Sequence, residues 1–234
     1  MRWKGGRRST NVEDRRGRRV RGGRAFKGGV GTIVITLALA YFLGIDPQVL
    51  LQLQQGGAPE VVETDYQPTA EEQQQADFVS VVLADTEDTW GEIFRQAGYE
   101  YEEPGLVLFS GSVRSACGMA SAAMGPFYCP ADKKVYIDLS FFSDLKTRHG
   151  APGDFAQAYV IAHEVGHHVQ NLLGTSSKVR AAQGRVDEEA GNALSVKLEL
   201  QADCYAGLWG NHADRSRQVL EQGDIEEALQ SCRQ

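Results

Sequence analysis

The sequence predicts an α+β domain that is mainly helical, contains a small sheet and is preceded by one N-terminal transmembrane helix. Apolar residues recur at helical spacing around residues 158–173 and 187–208, whereas residues 106–110 and 134–139 are short runs rich in strand-forming side chains. Residues 28–45 have no charged side chain over 18 positions, a length that can just cross a bilayer. A chain of 234 residues can bury one core and also carry an anchor.

The N-terminal residues differ in charge from the rest of the chain. Residues 1–27 hold eleven Lys or Arg and two acidic residues, whereas the remainder holds 13 basic and 29 acidic residues. Basic residues beside an apolar span stay on the cytoplasmic side. The sequence therefore predicts a single-pass protein of the cell membrane. It has a basic cytoplasmic arm at 1–27, a signal-anchor at 28–45, a linker at 46–68 and a periplasmic or extracellular domain at 69–234.

Other interpretations of the N-terminal region remain open. Ala38 and Ala40 have the small-x-small form of a signal-peptide cleavage site, although the apolar run continues beyond them. A buried core helix is disfavoured by three glycines at the start of the run and by the nearby arginines. The arginines of the arm could instead bind phosphates. Their place beside the apolar span favours the membrane, and no nucleic-acid partner is expected.

Local signals predict the helices of the domain. Thr69 and Glu72 have the form of a capping box, which predicts a helix through about Gln96. Residues 175–185 are predicted to be a polar connection. Residues 224–227 have a similar capping form, which predicts a short terminal helix.

The pattern His163-Glu164-Val-Gly-His167 predicts a metal site. Histidines four residues apart lie on one face of a helix, so both imidazoles can reach one ion. Zinc accepts neutral imidazole, and a catalytic zinc takes three protein ligands and leaves one position for water. Glu164 lies about 100° round the helix from His163, where a carboxylate can take a proton from that water.

A second pair of spaced side chains offers the remaining ligand. Glu199 and Asp203 are also four residues apart, so both carboxylates face one side of a second helix. We assign Glu199 to zinc. Asp203 is expected to accept the free N–H of a ligand histidine and so to fix the orientation of its ring.

Three stretches resemble one known family. HEVGHHVQ at 163–170, ELQADCYAG at 199–207 and SACGMASAAMGPFYCPADKKVYIDLSFF at 115–142 are similar to the neutral zinc metallopeptidase family of bacterial membrane-anchored proteins. The resemblance covers residues 100–230 and implies a zincin-like domain, a zinc cofactor and the same roles for Glu199 and Asp203. Family members usually continue beyond the equivalent of residue 230 with a segment that contains a His-Gly pair. The resemblance therefore also raises the possibility of a truncated, weakened enzyme, or of one that uses His212 instead.

The four cysteines suggest disulfides. Eleven residues separate Cys117 from Cys129, too many for the close pairs of structural zinc sites. An oxidising exterior favours a disulfide between them. Cys204 and Cys232 could form a second bridge. A Cys204 thiolate could also be proposed as a zinc ligand, but at five residues from Glu199 it points away from the Glu199 face.

Several residues have alternative interpretations. His168 is predicted to lie at the surface, and His212, Tyr205 and Tyr136 are candidate donors to a transition-state oxyanion. The strand at 134–139 is either an ordinary core strand or the strand that holds an extended substrate.

The sequence therefore predicts a zinc metalloendopeptidase that acts on peptides or proteins, with His163, His167 and Glu199 as zinc ligands and Glu164 as general base. The alternative is a membrane-tethered protein that binds a partner and keeps zinc as a structural element without catalysis. A fourth protein ligand on the zinc would favour that alternative.

Overall fold

A computed structural model describes residues 1–21, 60–63, 65–148 and 153–231. The chain divides into two units, one formed by Met1–Gly17 with Asp65–Gln234 and the other by Arg18–Thr64. The strands are β1 Val12–Asp14, β2 Arg18–Arg21, β3 Glu60–Glu63, β4 Gly105–Phe109, β5 Ser112–Ser115, β6 Gly118–Ser121, β7 Phe127–Cys129 and β8 Lys134–Asp138. The described helices are α1 Ala70–Gln96, α2 Ser140–Arg148, α3 Asp154–Leu172, α4 Thr175–Gln183, α5 Glu188–Arg217 and α6 Asp224–Ser231.

The main sheet has the strand order β1-β4-β8-β7. Strands β1, β4 and β8 are parallel, whereas β7 is antiparallel to β8 and forms an edge of the sheet. Because β8 is flanked on both sides, the predicted strand at 134–139 is an interior strand. Leu106, Leu108 and Ile137 of this sheet are buried in the same core as Ile161 and Val165 of α3.

The predicted capping box at the start of α1 is confirmed. The Thr69 side chain accepts from the backbone N–H of Glu72, and the Glu72 side chain accepts from the backbone N–H of Thr69. Helix α3 begins one residue after Gly153 and ends before Gly174, whose φ of 72° is left-handed and turns the chain directly into α4. The predicted polar connection at 175–185 therefore contains a helix.

The residues assigned from sequence to a basic arm are structured in their first part. Val12–Asp14 pair in parallel with Leu106–Leu108, so β1 is an outer strand of the main sheet. Arg15 and Arg16 form ion pairs with Glu13 and Asp14 at 2.7 and 2.6 Å. These carboxylates neutralise the arginines locally, which a count of net charge does not reveal.

The second unit contains an antiparallel ribbon. Strands β2 and β3 pair with Arg18 opposite Glu63 and Arg21 opposite Glu60. From the sequence, β2 was predicted to belong to the basic arm and β3 to the linker.

The structure corrects the prediction of a single-pass transmembrane protein. No helix in the described ranges of the chain is long and apolar enough to cross a membrane. Helices α1, α3 and α5 have 27, 19 and 30 residues, but charged side chains interrupt each of them. The fold is therefore mixed α and β, with six helices in the described part of the chain. The single-pass location and the membrane partner predicted from the sequence are not supported. Residues 28–45, on which that prediction rested, lie outside the described residues.

Candidate metal centre

The two histidines of the HExxH pattern lie on one face of α3. Their ring centroids are 4.8 Å apart and the rings are nearly perpendicular. Apolar neighbours such as Ile161 and Val165 face the core and set the rotation of the helix. His163 and His167 are therefore presented together at the partly exposed side of α3.

Helix α5 brings Glu199 to the two imidazoles. Its Oε2 atom lies 3.2 Å from Nε2 of His163 and 3.3 Å from Nε2 of His167. In the described part of the chain, these three residues form a group whose ligand atoms all lie within 4.8 Å of one another. The structure thus brings together the three side chains that the sequence assigns to zinc, although 32 positions separate His167 from Glu199.

A glycine permits this close approach of α3 and α5. A Cβ atom at Gly166 would lie 3.0 Å from the carbonyl oxygen of Ala202 and 3.2 Å from its Cα. Ala202 is fully buried. Gly166 therefore sets the spacing of the two helices between the histidine pair and Glu199.

Each histidine has a hydrogen-bond partner on its other nitrogen. Nδ1 of His163 lies 2.9 Å from Oδ1 of Asp203, and Nδ1 of His167 lies 3.0 Å from Oε1 of Gln170. Gln170 is fully buried and donates to the backbone carbonyl of Leu198 at 2.6 Å, which also joins α3 to α5. Gln170 was not predicted from the sequence, although a glutamine three residues after a ligand on a buried helix was a signal for this contact.

These contacts determine which histidine nitrogens can bind a metal. A carboxylate and an amide oxygen only accept hydrogen bonds, so both Nδ1 atoms carry the proton and donate. Both Nε2 atoms then present lone pairs toward Oε2 of Glu199. Two imidazole nitrogens and one carboxylate oxygen that converge in this way fit zinc, which binds both types of atom.

Glu164 lies beside this group and is buried. Burial raises the pKa of Glu164 to about 7, against the opposing influence of His167 and of a hydrogen bond from the Tyr128 backbone. A carboxyl group with this environment can hold or release a proton near neutral pH, which is the property required of a general base.

A cleft of about 410 Å³ opens over these side chains. The edge strand β7 and its flanking prolines form one wall, and α4 and α5 contribute the other. Its remaining lining residues are Pro126, Phe127, Tyr128, Pro130, Ser176, Arg180 and Leu198. The strand beside the candidate centre is therefore β7, which the sequence analysis did not predict. A disulfide between Cys117 and Cys129 anchors its end, as predicted.

The prediction of a surface role for His168 is wrong. His168 is fully buried, with Nε2 2.6 Å from the carbonyl oxygen of Glu102 and Nδ1 2.9 Å from the Tyr128 hydroxyl. Since a carbonyl only accepts, Nε2 donates to Glu102 and Nδ1 accepts from Tyr128. Desolvation on burial lowers the pKa of His168, which favours this neutral form. Helical spacing alone placed His168 on a different face of α3 from the two ligands. It did not reveal that Tyr128 and Glu102 contact this face.

The candidate oxyanion donors lie away from the cleft. His212 is 13 residues after Glu199 on the same helix, which corresponds to about 20 Å along its axis. The Tyr136 hydroxyl donates to Asp132 at 2.7 Å, and the Tyr205 ring packs against Trp90. Among the other cysteines, Cys204 is free and exposed, and Cys232 lies outside the described residues.

Comparisons with known proteins identify the family of this chain. The family model described as "Putative neutral zinc metallopeptidase" matches residues 1–234. The Escherichia coli K12 protein named "Uncharacterized protein YpfJ" is 49% identical over 240 aligned positions, which cover 99% of this chain and 82% of that protein. The Mycobacterium bovis protein named "Uncharacterized protein Mb2605" is 47% identical over 139 positions, which cover 55% of this chain and 46% of that protein. No solved structure matches the chain.

The family match extends over the whole chain, so it includes both α3 and α5. Zinc is the cofactor that this family implies, and His163, His167 and Glu199 form a possible site for it. On this evidence the chain belongs to the neutral zinc metallopeptidase family.

Proposed function

We propose that the protein is a zinc-dependent peptidase in which His163, His167 and Glu199 hold the metal. The observation that carries this proposal is the convergence of two Nε2 atoms and one carboxylate oxygen within 4.8 Å, below an open cleft. When bound, zinc acts as a Lewis acid that lowers the pKa of a water ligand from 15.7 towards about 7 and polarises the scissile carbonyl.

Glu164 is assigned the role of general base. Its carboxylate accepts a proton from the attacking water and then returns it to the leaving amine nitrogen. Burial of the Glu164 side chain limits its contact with bulk solvent. Asp203 and Gln170 act indirectly, because each fixes the orientation of one ligand histidine ring.

Strand β7 is the proposed support for the substrate. It is an edge strand with β8 as its described neighbour in the sheet, and its residues line the cleft beside Glu164. An extended peptide can lie along such an edge and use its free backbone groups. This arrangement would place the scissile carbonyl over the group formed by the histidines and Glu199.

The number of ligands supports an enzyme over a structural zinc site. Catalytic zinc sites have three protein ligands, whereas structural sites have four. In the described residues, the cluster contains three such ligands and opens into the cleft. This difference supports peptide hydrolysis over the alternative of a zinc-containing binding protein.

Replacement of Glu164 by glutamine tests the proposal. Glu164→Gln keeps the size of the side chain and leaves the three ligands intact, so zinc content should stay unchanged. Cleavage of a casein or peptide mixture should fall about a hundredfold or more, because the base is lost. Glu188→Gln removes an equal charge from the exposed start of α5 and should have no effect. Full activity in the Glu164→Gln protein would remove Glu164 from this role.

A further inference from the structure

One cationic side chain in the cleft has no role in the proposed chemistry. Arg180 is exposed and lines the cleft from α4. Among the described residues that line this cleft, it is the one with a permanent positive charge. The hydrogen bonds and ion pairs of the described chain do not involve its guanidinium, so its donors remain available to a ligand.

The helix that carries Arg180 is held firmly beside the candidate centre. Gly174 joins α3 to α4 with a left-handed residue and no intervening loop. At the other end of α4, Gln183 donates to the carbonyl of Gly191 and to the hydroxyl of Ser195 on α5, at 3.1 and 2.8 Å. Helix α4 is therefore tied to both helices that supply the candidate ligands.

Arg180 has a second donor on the same face of α4. Ser176 also lines the cleft, and its position four residues earlier places it one turn away from Arg180. Lys178 lies between them in sequence and is not among the lining residues. A guanidinium fork with a nearby hydroxyl matches a carboxylate, which accepts two parallel hydrogen bonds from arginine.

We propose that Arg180, with Ser176, forms a subsite that binds a carboxylate of the peptide substrate. This inference rests on the proposed peptidase function. Among the charged side chains that line the cleft, Glu199 is assigned to the metal and Glu164 to proton transfer, so Arg180 is left to bind a group of the substrate. The carboxylate could belong to an Asp or Glu side chain or to the C-terminus of the peptide, since both present the same oxygen pair.

The test is cleavage of a proteome-derived peptide mixture by the zinc-loaded full chain, with the cleavage positions read by mass spectrometry. We expect cleavage sites enriched about tenfold for Asp or Glu at one fixed position, or for a free C-terminus at a fixed distance, because one charge-assisted contact changes affinity by about that factor. C-terminally amidated peptides distinguish the two sources, because amidation abolishes only the second kind of enrichment.

Variants of α4 test whether the preference for a carboxylate depends on the proposed subsite. Arg180→Gln should abolish the preference, because it should raise KM for acidic peptides about tenfold relative to KM for matched Gln peptides. Arg180→Glu should favour Lys or Arg at the same position. Lys178→Gln removes the same charge from the same helix and should keep the wild-type preference.

Three results would overturn the inference. The first is cleavage by the wild-type protein without an acidic or C-terminal preference, which leaves the peptidase function intact. The second is a preference that survives in Arg180→Gln. The third is an equal fall in kcat for every peptide, because it would indicate a general role in the reaction. A complete lack of cleavage by the zinc-loaded wild-type protein would instead contradict the proposed function itself.

Discussion

The hydroxyl of Tyr128 lies 2.9 Å from Nδ1 of His168, and together they link the cleft strand to the metal helix. The Tyr128 oxygen also accepts from Asn171 at 3.1 Å, while His168 donates to the Glu102 carbonyl. Each donor in this series of hydrogen bonds therefore has one acceptor. Tyr128 also lines the cleft beside Glu164. The side-chain network thus supports the wall of the cleft next to the proposed base.

A double-mutant cycle tests this network. Tyr128→Phe and His168→Phe should each lower the free energy of unfolding by about 1–3 kcal/mol, because each leaves buried polar groups without a partner. The double variant should lose less than the sum of the two, by about 0.5–3 kcal/mol, since the shared bond can be lost only once. Urea unfolding of the four proteins measures the coupling. Strict additivity would show that the two side chains do not interact.

The spacing of α3 and α5 depends on Gly166. Gly166→Ala should destabilise the protein by about 1–3 kcal/mol, because the new methyl group meets the Ala202 backbone at 3.0–3.2 Å. It should also weaken zinc binding, since the histidines and Glu199 lie on the two helices that are forced apart. Gly207→Ala is the matched control, because a Cβ there meets nothing within 4 Å. That control should be neutral or gain about 0.5–1 kcal/mol. Equal stability of Gly166→Ala and wild type would contradict the close packing of Gly166 against the Ala202 backbone.

The disulfide should stabilise the cleft wall. Replacing Cys117 and Cys129 together by alanine should lower the free energy of unfolding by about 2–4 kcal/mol, because the unfolded chain is no longer constrained. Peptide cleavage should fall as well, since Cys129 ends β7. Cys204→Ala removes an exposed free thiol and should change neither quantity. Insensitivity of the wild-type protein to a reductant in urea unfolding would argue against this contribution.

Acid should weaken the attachment of β1. The hydrogen bonds from Arg15, and then that from Lys134, lower the pKa of Glu13 from 4.5 to about 2. Above pH 4.5 the stabilisation is fully present, and as pH falls towards 2 it is lost, because the unfolded chain takes up the proton first. The Glu13 side chain is 40% exposed, so solvent screening limits the effect to about 1 kcal/mol.

The free energy of unfolding at pH 7 and pH 3 measures this contribution. Glu13→Gln should lose less stability between the two pH values than the wild type does. Glu100→Gln removes the charge of an exposed glutamate and should follow the wild type. An identical loss in the Glu13→Gln protein would show that Glu13 does not contribute to the acid sensitivity.

The parts of the site that could be predicted are those fixed by the spacing of residues along one helix. The spacing of His163 and His167 along one helix places both rings together, and the spacing of Glu199 and Asp203 does the same on another helix. Thr69 and Glu72 likewise form a contact within one turn. These relationships depend on helix geometry alone, so they are visible in the sequence.

The missed features depend on packing between distant elements. His168 contacts Tyr128, and Gln170 joins α3 to α5. Arg180 lines the cleft from α4, which was predicted to be a polar connection. Strand β7 has three residues and is stabilised by β8 and the disulfide rather than by its own composition. The arginines near residue 15 were assigned to a basic arm because two acidic residues change the net charge of residues 1–27 only a little.

The most direct test is the position of zinc in an anomalous difference map, measured at the zinc edge from crystals of the full chain. We expect one strong peak bounded by Nε2 of His163, Nε2 of His167 and the Glu199 carboxylate, with no fourth protein side chain bound to the metal. A strong peak elsewhere, with none at this position, would contradict the assignment of the centre. A fourth protein ligand at this position would contradict the peptidase function.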